Sequence, residues 1–405
     1  MTRFTHPGYA CLKTLLVLAA AAILLTSCAA LPRRALPEKY EDMAQVDGLQ
    51  SVRTWADEFN PAFQHTLVES VKQRQAYYES RGLPWPTADP LNFLAISGGG
   101  DYGAYGAGVL FGWTQAGDRP EFDLVTGVST GSLIAPFAFL GPKYDDQLRK
   151  VYTTIDAKKV FILKRIFQII GGDSIADTKP LAELAAKYID AKMLKAIAAE
   201  HDKGRRLFIA TTNLDAQRSM IWDMGRIAKA GRLDLFREVL LASSSIPAVF
   251  PPQYIEVKAA GHKYDEMHVD GGVVTQVFLY GPFIDPTSAA AAQGANFHDR
   301  KKNMYIIMNN KVAGTYDPVK RKLADIAGTA VSSLIRNQGI GALDRLYLLA
   351  NRDGFDYNLT FIPDSFVPAT TKIFDPGVMN TLFDLGRERS LAGAAWQDHP
   401  PGFTP

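Results

Sequence analysis

Net charge, cysteine, histidine and long apolar runs are all scarce in this sequence, and each scarcity removes a class of function. Across 405 residues the formal net charge is +2. Arg3 and Lys13, with no acid among the first 27 residues, account for all of it. A nucleic-acid-binding surface needs a basic excess, and none is present. Only two cysteines occur, Cys11 and Cys28, which excludes a disulfide framework for the folded body. Downstream of residue 270 only His298, in a polar loop, and His399, in a proline-rich tail, remain. No internal repeat and no long low-complexity tract is found. The rest is ordinary: 47% hydrophobic and 21% charged, the composition of a globular chain holding one large α/β domain or two.

Thr14–Leu25 is the apolar run of note, and its length suits a signal-peptide h-region better than a membrane span. Leu25-Thr26-Ser27-Cys28 follows and resembles a bacterial lipoprotein box. The resemblance implies a signal peptide over residues 1–27, lipid on Cys28, and a place in the bacterial cell envelope, at the outer membrane rather than the inner. A plain signal peptide or an uncleaved anchor helix are the alternatives. Residues 28–90 read as an N-terminal tether, to about Pro37, and a helical extension through Val68–Tyr78, closed by Pro84, Pro86 and Pro90.

From residue 91 the pattern changes. Asn92–Ser97, Leu124–Val128, Leu207–Thr212 and Met304–Met308 are short apolar strand candidates. Between them Ala104–Ala116, Thr130–Leu140, Lys179–Ile189, Met193–Glu200, Leu233–Ser243 and Lys322–Leu349 carry helical patterns. Ala104, Ala107 and Gly108 place small residues on one side of the first of these, and Pro136 should kink or end the second. Tyr254–Lys258 and Lys263–Val269 form a hairpin candidate through Ala259-Ala260-Gly261. Alternating strands and helices predict an α/β fold with a mostly parallel central sheet covered on both faces.

Two glycine-framed turns follow strand candidates. Gly98, Gly99 and Gly100, with Gly103 beyond, can bring bare backbone N–H groups close to a carbonyl oxygen, near the positive end of the next helix. Gly127-Val128-Ser129-Thr130-Gly131 has the spacing of a nucleophile elbow, with the Thr130 N–H next to the serine. The first turn also satisfies G-x-G-x-x-G, but a dinucleotide site wants a carboxylate at the end of the next strand, and Ser129 stands there. Nucleophile and oxyanion donors together point to acyl transfer. For the base, neither His298 nor His399 stands in a recognisable catalytic setting. Asp270, at the end of an apolar strand with Gly271 and Gly272 behind it, is left.

At these residues the chain resembles the patatin-like phospholipases, whose glycine-rich oxyanion loop, G-x-S-x-G and D-G-[GA] motifs occur in this order. Ala242-Ser243-Ser244-Ser245-Ile246-Pro247 resembles a further family segment. The resemblance implies a three-layer α/β/α patatin-like fold over residues 91–395, with 396–405 as tail. It also implies a Ser129–Asp270 dyad without histidine, no cofactor and no metal, and an ester lipid or phospholipid as substrate. Tyr102 departs from the family, which has a basic residue there. A His-containing serine esterase and a non-catalytic lipid- or partner-binding lipoprotein are the competing readings.

A free aspartate is a weaker base than imidazole by two to three pK units or so. Activity is therefore expected to extend below pH 6. Lys158–Ile170 mixes basic residues with an apolar stripe, and reads either as an interfacial helix or lid hinged at Gly171-Gly172, or as a helix capping the core. His262, Glu266, His268 and Asp270 would share a strand face, but the two histidines would be too far apart for one metal ion.

Overall fold

The computed structural model describes residues 33–85, 89–169, 172–281, 291, 300–314 and 316–403. The expected signal peptide, Cys28 and His298 lie outside the described residues. The main sheet contains β1 (Arg53–Trp55), β2 (Leu91–Ile96), β3 (Leu124–Val128), β4 (Arg206–Asn213), β5 (Arg218–Asp223), β6 (Gln253–Ala259), β7 (His262–Asp270), β8 (Lys302–Met308) and β9 (Asp356–Phe361). Among the described residues the α-helices of six residues or more are α1 (Pro61–Ser80), α2 (Gly103–Ala116), α3 (Thr130–Leu140), α4 (Asp145–Thr154), α5 (Lys179–Tyr188), α6 (Ala191–Asp202), α7 (Met224–Lys229), α8 (Leu233–Ser243), α9 (Leu323–Asp353) and α10 (Pro376–Leu391).

Five strands run parallel in the order β4-β3-β2-β8-β9. The antiparallel additions gather beyond β4, where β5 and β1 continue the sheet and the β6–β7 hairpin joins it. In β2, Leu94 and Ile96 face a core built with α2 and α3, while Phe93 and Ala95 face one built with α1 and α9. Burial on both faces is why the parallel strands read as continuous apolar runs.

One register decides the rest. β4 pairs with β5 along one edge, from Phe208 to Asn213. Its other edge is shared: β3 occupies it up to Val128, opposite Ala210, and β7 occupies it from Asp270, opposite Thr211. β3 is parallel to β4 and β7 antiparallel, so the two strands approach each other end to end. Ser129 and Asp270 are where they stop.

The described residues before Leu91 are not a separate extension. β1 lengthens the main sheet, and Phe63 and Val71 of α1 are buried in its core. The tether ends earlier than Pro37, since Arg33 pairs with Asp215 and the Arg34 N–H reaches Asp265. The expected tail also begins inside the core: Trp396 stacks against Trp113 at 4.7 Å, and Gln397 exchanges backbone bonds with Leu359 at 2.8 Å. Pro136 does not end α3, which runs on to Leu140.

α10 carries no strong sequence signal, yet it crosses α2 closely. A side chain on Gly108 would overlap the backbone carbonyl of Phe383, and one on Gly386 that of Tyr105. This contact holds α2, and with it the loop that feeds its N-terminus. Gly108→Val is expected to cost about 2–3 kcal/mol, read as a lower urea midpoint at unchanged slope.

Candidate active site

Ser129 follows β3 and caps α3 with φ 53° and ψ −126°, a region that non-glycine residues enter only when their surroundings force them. The surroundings do so because Gly127 and Gly131 let the turn close. A side chain on Gly127 would strike the Gly131 carbonyl, and one on Gly131 the Ile96 carbonyl. Ser129 is 7% exposed, and its Oγ donates to Asp270 Oδ2 at 2.6 Å. Asp270 is 6% exposed, and its Oδ1 accepts the Gly272 N–H at 2.8 Å. Burial lifts its carboxyl from 3.8 to about 6, against the opposing pull of the Ser129 and Gly272 hydrogen bonds.

Both residues are held by the end of α8. Ser243 Oγ accepts the Ser129 N–H at 3.0 Å and donates to the Ala210 carbonyl at 2.7 Å. The Ser245 carbonyl accepts the Asp270 N–H at 2.9 Å. One short serine run thus ties the elbow, the aspartate and β4 together.

The glycine loop lies over the serine. Its expected donors were Gly98, Gly99 and Gly100, and the first is otherwise engaged: the Gly98 N–H donates to the Gln276 carbonyl at 3.1 Å. The N–H groups of Gly99 (φ 157°), Gly100 (φ 59°) and Thr130 meet no acceptor among the described residues. Gln276 also donates from Nε2 to the Gly272 carbonyl at 2.8 Å, linking the loop to the aspartate turn. From the end of β8, Asn309 donates to the Ser97 carbonyl at 2.9 Å and accepts the Gly106 N–H at 3.0 Å. Sequence reasoning missed Gln276 and Asn309, because a lone amide after a strand carries no motif. Gly103 starts α2 against Thr130, and Gly271 closes on the Ala210 carbonyl. Tyr102 sets its ring at right angles to Phe366, with centroids 6.2 Å apart. Asp101 accepts the Phe374 N–H at 2.8 Å.

An apolar cavity opens beside Ser129, lined by Gly100, Thr130, Leu133, Tyr152, Leu181, Ile246, Phe250 and Phe374 among others. Burial raises the Tyr152 hydroxyl far above its ordinary pKa, so it stays protonated, at 2.6 Å from Thr130 Oγ1. A larger cavity of about 610 Å³, walled by Trp55, Phe63, Phe208, Leu279 and Leu346, contains none of the expected site residues.

The segment expected as a helix over Lys158–Ile170 is instead a short hairpin and a turn. Ile162–Leu163 pairs with Ala176–Asp177, and Ile166–Ile169 makes a single helical turn. Phe161 stacks on Phe250 at 5.7 Å, whereas Ile162 and Leu163 are 57% and 67% exposed. The two readings of this segment therefore divide between its residues.

None of the described histidines bonds to Ser129 or Asp270. His268 lies two residues from Asp270, but Thr211 Oγ1 engages its Nδ1 at 2.9 Å and Glu266 its Nε2 at 3.1 Å. His399 meets Asp398 in the tail. No cluster of three metal-ligating side chains occurs among the described residues.

Residues 94–280 match the family model described as patatin-like phospholipase, which supports lipid hydrolysis in general terms. No curated protein matches the chain. Among solved structures, VipD from Legionella pneumophila is similar at 12% identity and a TM-score of 0.36, over 77% of this chain and 68% of its own. Human GIVD cytosolic phospholipase A2 is similar at 10% identity and a TM-score of 0.30, over 72% of this chain and 52% of its own, so this chain spans about half its length.

Burial of Asp270 has a measurable consequence for stability. The folded chain holds the proton up to about pH 6 and the unfolded chain only to 3.8. This group's contribution is therefore complete below pH 4 or so and is lost as pH rises through about 6. Asp270→Asn removes the titration while keeping an isosteric side chain. The variant is expected to be more stable than wild type at pH 8, by at most about 3 kcal/mol. The difference should vanish below about pH 4 in paired denaturant titrations.

Proposed function

We propose, on the premise that residues 94–280 form a patatin-like phospholipase domain, that this chain hydrolyses acyl esters of lipids with Ser129 as nucleophile and Asp270 as base. The observation that carries the reading is the 2.6 Å hydrogen bond between them inside a buried site. Asp270 Oδ2 takes the Ser129 proton as Oγ attacks the ester carbonyl carbon. The carbonyl oxygen gathers negative charge beside the N–H groups of Gly99, Gly100 and Thr130, at the N-termini of two helices. The tetrahedral intermediate then expels the alcohol, which takes the proton from Asp270. Water, deprotonated in turn by Asp270, attacks the acyl carbon, and Ser129 Oγ leaves with that proton as the acid is released. The apolar cavity beside Ser129 suits an acyl chain, and Tyr102 leaves the oxyanion to backbone donors and helix ends.

The lipoprotein reading of the N-terminus belongs to the same proposal. Residues 1–27 act as signal peptide, and lipid on Cys28 holds the enzyme at a membrane of the bacterial cell envelope, where acyl esters are concentrated.

Ser129→Ala is expected to lower kcat/KM on p-nitrophenyl acyl esters by roughly 10³-fold or more, and Asp270→Asn by roughly 10²–10⁴-fold, both with folding retained. Wild-type turnover surviving in either variant excludes the dyad. The acid limb should fall through about pH 6, following Asp270, rather than extend well below it as a free aspartate would allow. An imidazole base gives a limb at similar pH, so temperature separates the two. Carboxyl ionisation is nearly athermal, and the kinetic pKa should hold between 10 and 40 °C or so, whereas a histidine limb would move down on warming.

A further inference from the structure

α9 is longer than the sheet it crosses. It joins β8 to β9, which are parallel, so it begins at the strand ends that carry Ser129 and Asp270. Its 31 residues span about 46 Å, while strands of six or seven residues span about 20–23 Å. The second half is seated, with Leu343, Leu346 and Ala350 buried against the sheet. The first half is not: Leu323 is 85% and Leu334 71% exposed, Ile326, Val331 and Ile335 are exposed too, and so are Asp325, Thr329 and Ser332 on the opposite side. A helix bare on both faces stands clear of its own fold. The free half leaves the body at Gln338, which donates to the Val273 carbonyl at 3.1 Å, in the turn that follows Asp270.

Its sequence is not that of a solvated spacer. Leu323, Ile326, Ala327, Ala330, Val331 and Leu334 recur at i, i+3, i+4, i+7, i+8 and i+11, an apolar half-cylinder. Asp325, Gly328, Thr329, Ser332 and Arg336 fill the other half. Lys320, Arg321 and Lys322 lead into the helix, and none has an ion-pair partner among the described residues, with Asp317 and Asp325 the acids nearest in sequence. Ile246, which lines the Ser129 cavity, is exposed as well, and so are Ile162 and Leu163, two and three residues beyond the cavity's Val160.

We propose that the free half of α9 lies in the headgroup region of an anionic lipid bilayer, basic lead-in against the phosphates and apolar face toward the acyl chains. That this also brings substrate to Ser129 rests on the hydrolase reading; the docking itself does not. Charge favours lipid over a second copy of the chain. An isologous parallel pairing sets Lys320–Lys322 against themselves, and an antiparallel one sets them toward Arg336, like charges in both cases.

The test places a polarity-sensitive fluorophore on Leu334→Cys, or on Ser332→Cys as opposite-face control, in the full chain carrying Cys11→Ser and Cys28→Ser. Phosphatidylcholine vesicles with and without phosphatidylglycerol are the probe. The expected result is a blue shift and quenching by acyl-chain nitroxides at position 334 and neither at 332. Lys320→Glu, Arg321→Glu and Lys322→Glu together should weaken the response roughly fivefold or more. No shift at 334, or equal shifts at both positions, overturns the proposal. A shift without vesicles that grows with protein concentration replaces lipid with a second copy. Insertion indifferent to phosphatidylglycerol removes the anionic assignment. The readout needs no turnover, so Ser129→Ala should leave it unchanged, and failure of the hydrolase reading would be seen separately.

Discussion

Two strands running toward each other along one edge of β4 create the contact on which everything else here depends. β3 ends at Val128 and β7 at Asp270, opposite neighbouring residues of β4. The serine beyond one strand and the carboxylate ending the other therefore meet inside the sheet's upper edge, out of water. Burial sets the chemistry of the pair. A solvated aspartate is a poor base for a hydroxyl. One lifted to about 6 while bonded to Ser129 and Gly272 stands close to the range an imidazole would supply.

Such a contact must be held against its own strain. Ser129 sits at positive φ, and the groups that keep it there also fix its partner: Ser243 takes the elbow N–H, and Ser245 takes the aspartate N–H. Gln276, in the loop beyond the Asp270 turn, and Asn309, just past β8, hold the glycine loop. Among the described residues, the donors at Gly99, Gly100 and Thr130 meet no acceptor and are left free. Beside this floor the Ser129 cavity is walled by apolar side chains, of which Ile246 is exposed.

Much of this was legible before any coordinates. Apart from Lys158–Ile170, the strand and helix candidates from Asn92 to Ser243 fall within a residue or two of the observed elements, because doubly buried strands and amphipathic helices write their periods plainly. Ser129, Asp270 and the glycine loop were legible because each needs glycines at fixed offsets. What escaped was set by tertiary partners. β5, β9 and α10 have mixed patterns and are held by neighbours, and the Gly98 N–H is lost as a donor to a carbonyl far away in sequence. The apolar stripe in Lys158–Ile170 looked helical, yet Ile162–Leu163 pair with Ala176–Asp177 and stay exposed while Phe161 packs against Phe250, contacts made with residues outside the stripe. β1 and Trp396 showed that the expected domain limits were drawn too tightly, since edge pairing over three residues leaves almost no sequence signal.

Covalent capture reaches the central pair most directly. The full chain is treated with an alkyl fluorophosphonate and digested, and the adduct is located by mass spectrometry. One adduct on the Ser129 peptide, formed far more slowly in Asp270→Asn, is the result predicted by a buried serine activated by its aspartate. No adduct on the folded wild type, or labelling that persists undiminished in Ser129→Ala, would contradict it.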